Sequence, residues 1–175
     1  MDRRAFLRRT SFAGIALFAG GVAWRRARIV PPSLAALSDE LTVLRARTLI
    51  GTGAWSPYTV FAHLAQSVRY SMEGYPAMKP AWFRASAGAA AFFAFETAGA
   101  MHHGLDEPLP GAPALAQQGD VVTAIDALVA ALEGFDAHEG ALQPHFAYGL
   151  LDKPRYAMAH AMHLHDHLSE IRVDS

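Results

Sequence analysis

Leucines 34, 37, 41 and 44 recur at intervals of three and four behind Ser33, a pattern that predicts a serine-capped helix halted near Gly51 to Gly53. A second helix is announced by Ser56 as N-cap and Pro57 at the first helical position, and Gly74 and Pro76 close it. Beyond Pro80 the run "AWFRASAGAAAFFAFETAGAMHHG" is apolar and alanine-rich up to Gly104. Arg84 and Glu96 interrupt that run, so a buried helix is favoured over a membrane span. "GLDEPLPGAPALAQQGD" holds three prolines and three glycines and reads as a loop.

Asp120 then caps a helix with an amphipathic stripe of Val121, Val122, Ile125, Leu128, Val129 and Leu132, which should end between Gly134 and His138. The last helix opens on Asp152 with Pro154 in its first turn and should run to about Arg172. No window shows sustained strand alternation. Five apolar helices on modest loops predict an all-α fold, an antiparallel four-helix bundle with an extra helix and an N-terminal signal segment.

Composition narrows the chemistry. With 175 residues, 52% hydrophobic and 18% charged, the chain suits one domain with an appendage. No basic face stands out beyond the N-terminus, so nucleic acid is not an expected partner. There is no cysteine, which excludes disulfides, a cysteine nucleophile and thiolate metal sites. Any metal must be held by histidine, carboxylate or water.

Residues 1–24 read as a targeting signal, basic at the start and apolar from Phe12 to Trp24, too short to span a bilayer. "DRRAFLR" resembles the twin-arginine export motif, with Arg3 and Arg4 as the pair followed by Phe6 and Leu7. Gly21-Val22-Ala23 offers a cleavage site, and cleavage after Ala23 leaves 11 basic and 15 acidic residues, net -4. The organisation expected is therefore a signal over 1–24, a linker over 25–32 and a bundle over 33–175. The signal implies the twin-arginine export machinery as partner and a periplasmic or other extracytoplasmic location. Retention as an uncleaved anchor, the alternative, would add a membrane contact.

The candidate chemistry lies in nine histidines, four of them in "HAMHLHDHLS". At about 100° per residue, His160, His163 and His167 share one helix face with Tyr156, Leu164 and Ile171, while His165 and Asp166 point elsewhere. His163 and His167 are four apart and can meet one divalent ion. The third ligand must come from another helix, and His63, alone in the middle of the second helix, is the candidate. Each of these residues has a plainer reading as a hydrogen-bonded core histidine, and His160 is an alternate ligand or a supporting partner. His102 and His103 read as a helix end suited to the dipole. His145 in "PHFAYG" could be a fourth ligand, a general base or a supporting partner.

The mid-helix histidine, the terminal H-x-x-x-H and the all-helical layout resemble the DinB/YfiT-like four-helix bundles, a superfamily read as metal-dependent enzymes. That resemblance implies a divalent ion, zinc or nickel among them, on His63, His163 and His167. "WSPYTVFAHLAQS" and "PHFAYGLLDKPRYAMAHAMHLHDHL" are similar more narrowly to the domain-of-unknown-function family fifteen sixty-nine. That family carries a His-Pro-x-Phe-Gly element and a string close to His-Leu-Asp-His-His-Leu. Here Phe146 stands where proline is usual, and Asp166 and His165 are exchanged, although the outer pair keeps its spacing.

Three neutral histidines leave an ion its full charge and an open position, suited to acidifying water or taking an anionic group. The resemblance implies hydrolysis or thiol transfer on a small molecule of unknown identity. His145 is the first candidate for the base. The rivals are a bundle that binds metal or a ligand without turnover, and a purely structural histidine core. A homodimer stays open beside the monomer.

Overall fold

The structure is a computed structural model and describes residues 34–174. The expected signal over 1–24 and linker over 25–32 lie outside the described residues, as does the proposed cap Ser33. The elements in order are α1 (Leu34–Arg45), β1 (Leu49–Gly51), α2 (Pro57–Glu73), α3, α4 (Val121–Ala137), α5 (Lys153–Leu168) and β2 (Ile171–Val173). Helix α3 is continuous but not uniform: α-helix over Ala81–Phe83, a π-helical turn over Arg84–Gly88, and α-helix again over Ala89–Ala98.

The helix starts follow the capping chemistry in the sequence. The Ser56 hydroxyl accepts from the Thr59 amide at 3.2 Å, with Pro57 following it into the helix. Asp120 accepts from Val122 and Thr123, and Asp152 accepts from Arg155 at 2.9 Å. Helix α2 ends at Gly74, whose φ of 104° a side chain would resist. Because Asp152 launches the helix that carries His163 and His167, Asp152→Ala should cost about 1 kcal/mol, read as a lower denaturant midpoint with an unchanged slope.

The core forms where α2 lies against α4, with α1 packed on α4 and α5 on α2. Phe61, Ile125, Leu128, Leu132, Phe135, Tyr156 and Leu164 are buried there, with Leu37 and Leu41 from α1. The Tyr156 hydroxyl donates to the Gln143 carbonyl at 2.7 Å, so even this ring's polar end is satisfied. The described residues are thus mainly helical, and none of their helices is long and apolar enough to cross a membrane.

Three expectations are corrected at the ends of the helices. Helix α1 stops at Arg45 and α5 at Leu168, because β1 and β2 pair antiparallel, Leu49 opposite Val173 and Gly51 opposite Ile171. Two strands of three residues are too short to show alternation, which is why the pattern predicts none. Helix α3 ends at Ala98, with Gly99 in the left-handed conformation at φ 70°, well short of Gly104. His102 and His103 therefore lie beyond the helix, in the segment that leads away from it.

The small sheet has a consequence for the site. It ties the chain after α1 to the end of α5, reinforced by the Thr52 amide donating to Glu170 at 2.8 Å. The following residues deliver Trp55 to the last turn of α5.

Candidate metal centre

His63 sits at the middle of α2 and His163 and His167 in the last turns of α5, where α2 and α5 face one another. Their side chains converge. The Nε2 atoms of His63 and His167 each lie 3.2 Å from Nε2 of His163, and the three ligand atoms fall within 4.8 Å of one another. Two nitrogens bound to one ion at 2.1 Å with a tetrahedral angle would stand about 3.4 Å apart. All three residues are buried. Trp55 stacks parallel to His167 at 5.9 Å and meets His63 edge-on at 4.9 Å, walling the cluster on one side.

Burial sets the charge of these rings. Desolvation, with a smaller push from His103, holds His63 at about 4, below its ordinary 6.5. Desolvation and the neighbouring imidazoles hold His167 at about 3 and His163 well below the ordinary value. At neutral pH the cluster is uncharged, and lone pairs are available at its centre. The Nδ1 atoms of His63 and His167 are buried without a hydrogen-bond partner among the described residues. Each such atom costs about 1–3 kcal/mol. A cation shared by the three Nε2 lone pairs would put the ring protons on Nδ1 and use all three Nε2 atoms at once. The donor set fits a divalent cation, and three buried histidines close together could hold one.

His160 is buried nearby but takes different partners. The Ser71 hydroxyl donates to the Val68 carbonyl at 2.6 Å, so it has no proton left for the ring 3.3 Å away. His160 must therefore donate from Nε2 to Ser71, which leaves that nitrogen without a lone pair for an ion. His165 is exposed and reaches Glu40.

Two residues read plainly from the sequence belong to the site instead. Asp166, only 7% exposed, accepts from the His103 amide at 3.1 Å and pairs with Nδ1 of His102 at 3.0 Å and of His103 at 3.3 Å. This places the His103 ring 4.9 Å from His163 and 5.2 Å from His167, edge to face. The signal in the sequence is a His-His pair at the predicted end of a helix, together with an acid beside a ligand histidine. Asp166→Ala should free the segment around His103, read as faster hydrogen exchange at the His103 amide.

A cavity of about 230 Å³ opens beside the cluster. His63, His163 and His103 of the cluster line it, as do His160 and Ser67, the group of Tyr75, His145, Phe146 and Tyr148, and residues of the segment after α3. Ring contacts run from His145 to Tyr156 and from Tyr156 to His160, one turn of α5 from His163, so His145 lies at the end away from the cluster. His145 departs from the expectation of a base. Its Nδ1 accepts from the amides of Ala147 and Tyr148 at 3.1 and 3.2 Å, and burial holds the ring at about 3, so it is neutral with its proton on Nε2. A ring in that state donates.

The comparisons with known proteins agree with this chain's narrower resemblance. The profile of DUF1569, described as a protein of unknown function, matches residues 25–174. Neither the curated proteins nor the solved structures include a match. With the match spanning most of its length, the chain belongs to the DUF1569 family.

Proposed function

We propose that this protein holds one divalent metal ion, zinc or nickel, on His63, His163 and His167 and acts on a small molecule in the adjoining cavity. The observation that carries the reading is the convergence of three buried, neutral Nε2 atoms beside that cavity, which His63 and His163 line. A site built only to store metal would need no such space. The ion would supply Lewis acidity toward water or a thiol at its open position, and metal-dependent hydrolysis or group transfer is the reaction class. The chain's own residues do the remaining work. Trp55 covers His63 and His167 outside the cavity lining, His103 stands against the ligand rings under the hold of Asp166, and the tyrosines and Phe146 give the cavity an apolar wall.

In this reading the helices form a DinB-like four-helix bundle, and residues 1–24 are a twin-arginine-type signal that delivers the folded chain outside the cytoplasm with its metal in place. The function is tested by metal analysis of the purified protein followed by a screen of hydrolase substrates and thiol adducts, with and without chelator. Turnover that follows metal content supports it. Stoichiometric metal without turnover or small-molecule binding favours the non-catalytic alternative. The mass of the exported chain tests the signal, since cleavage after Ala23 removes residues 1–23.

A further inference from the structure

The cavity has two chemically distinct ends, and the end remote from the cluster is built around one fixed hydrogen atom. His145 opens a tight loop in which its amide donates to the Gly149 carbonyl at 2.8 Å and the Gly149 amide donates back at 3.1 Å, with Gly149 at φ 78°. Inside this loop the Ala147 and Tyr148 amides both donate to Nδ1. A nitrogen that accepts two N–H groups carries no proton, so the neutral ring has its hydrogen on Nε2. No partner for that hydrogen occurs among the described residues, and the ring lines the cavity.

Packing fixes its direction. The ring lies parallel to Tyr148 at 4.2 Å and against Phe146 at 4.6 Å and Tyr75 at 5.1 Å. The loop itself is seated on the π-helical turn of α3, where a Cβ at Gly88 would collide with the Ala147 carbonyl. π-helical turns cost regular hydrogen bonding and tend to occur where a function needs them. This one brings the loop close enough to aim His145 at the cavity. Lys79 and Glu107 line the same cavity with opposite charges, so no net charge there selects the ligand.

We infer that His145 is a specificity-determining hydrogen-bond donor: its Nε2–H reads an acceptor oxygen, carboxylate or carbonyl, on a small molecule whose other end faces the three-histidine cluster. The inference rests on the metal-site reading for the orientation of that molecule, but the donor assignment stands on the loop alone. A buried donor left facing an apolar group loses its hydrogen bond, which is how such a site rejects ligands that lack the oxygen.

Two variants separate the donor from the fold. In His145→Asn the amide oxygen takes the place of Nδ1 and still accepts from the two loop amides, while nothing reaches as far as Nε2. In His145→Gln the amide NH2 falls near the position of Nε2. The first measurement uses metal-free protein: long-range nitrogen–proton correlation spectra of labelled histidine should show His145 as the Nε2–H tautomer. An Nδ1–H tautomer overturns the inference whatever the metal result.

The second uses cobalt-loaded protein, whose visible absorption reports ligands entering beside the metal. The probes are ω-mercaptoalkanoates and their amides, two to six carbons long, against alkanethiols of equal length. The wild type should prefer the best oxygen-bearing probe by about tenfold or more, His145→Asn should lose that preference, and His145→Gln should recover part of it. Equal binding of all probes by the wild type, or a preference that survives in His145→Asn, contradicts the inference. Metal content of the same samples reports separately on the three-histidine reading.

Discussion

Alanine in place of His163 is expected to leave the purified protein without a tightly held divalent ion, while His160→Ala retains it. His163 is the hinge of the cluster, with both other Nε2 atoms 3.2 Å from its own. Removing it leaves His63 and His167 on different helices, with no ligand between them. Loss of a group that merely supports a ligand weakens metal binding about 10–100-fold, and loss of a ligand should exceed that. His63→Ala and His167→Ala should behave alike. His160 donates from Nε2 to Ser71 and is the matched control, equally buried and on the same helix.

Stability gives a second readout of the same substitution. An ion present at a thousand times its dissociation constant stabilises the folded state by about 4 kcal/mol. Added zinc should therefore raise the melting temperature of the wild type and of His160→Ala, and leave that of His163→Ala where it was. A zinc-dependent shift of undiminished size in His163→Ala would place the ion elsewhere.

Acid is expected to unfold the metal-free protein well above the range where carboxylates titrate. His145 and His160 are each held at about 3 by burial, against 6.5 for an exposed histidine. Between those values the unfolded chain binds a proton that the folded one refuses. Stability is therefore full above about pH 6.5 and is lost as the pH falls toward the folded value. Each group contributes a loss of about 1.4 kcal/mol per pH unit in that window, so the two together remove about 4 kcal/mol by pH 5. The rings of His63, His163 and His167 are shifted in the same direction. A domain of 5–15 kcal/mol is exhausted quickly at that rate. Denaturant melts from pH 7.5 to 4.5 in chelator should show the stability falling steadily below pH 6.5. A flat profile over that range would mean the buried histidines protonate without penalty.

How far the sequence carries depends on the range of the interaction that fixes each feature. Caps are local, so Ser56, Asp120 and Asp152 mark their helices correctly from composition and spacing alone. The pairing of His163 with His167 is local as well, since four residues on a helix bring two rings to one face. His63 is a hundred residues away, and it is legible because a lone histidine among apolar neighbours asks for a partner and the family resemblance points to the same residue.

The features that escaped are those made by long-range contact. Ile171–Val173 carries no strand signal of its own and becomes a strand because Leu49–Gly51 is there to pair with it. His103 looks like a helix end until Gly99 turns the chain and Asp166 captures it. The tautomer of His145 depends on two amides of its own loop, whose direction no spacing rule reveals.

The most direct test of the central claim is X-ray absorption at the metal edge of zinc-loaded protein. Three imidazole nitrogens at about 2.0–2.1 Å, with the imidazole multiple-scattering pattern and one further light atom, are expected. That signature should collapse in His163→Ala. An ion surrounded by oxygen atoms alone, or one whose spectrum is the same in His163→Ala, would contradict a metal centre on His63, His163 and His167.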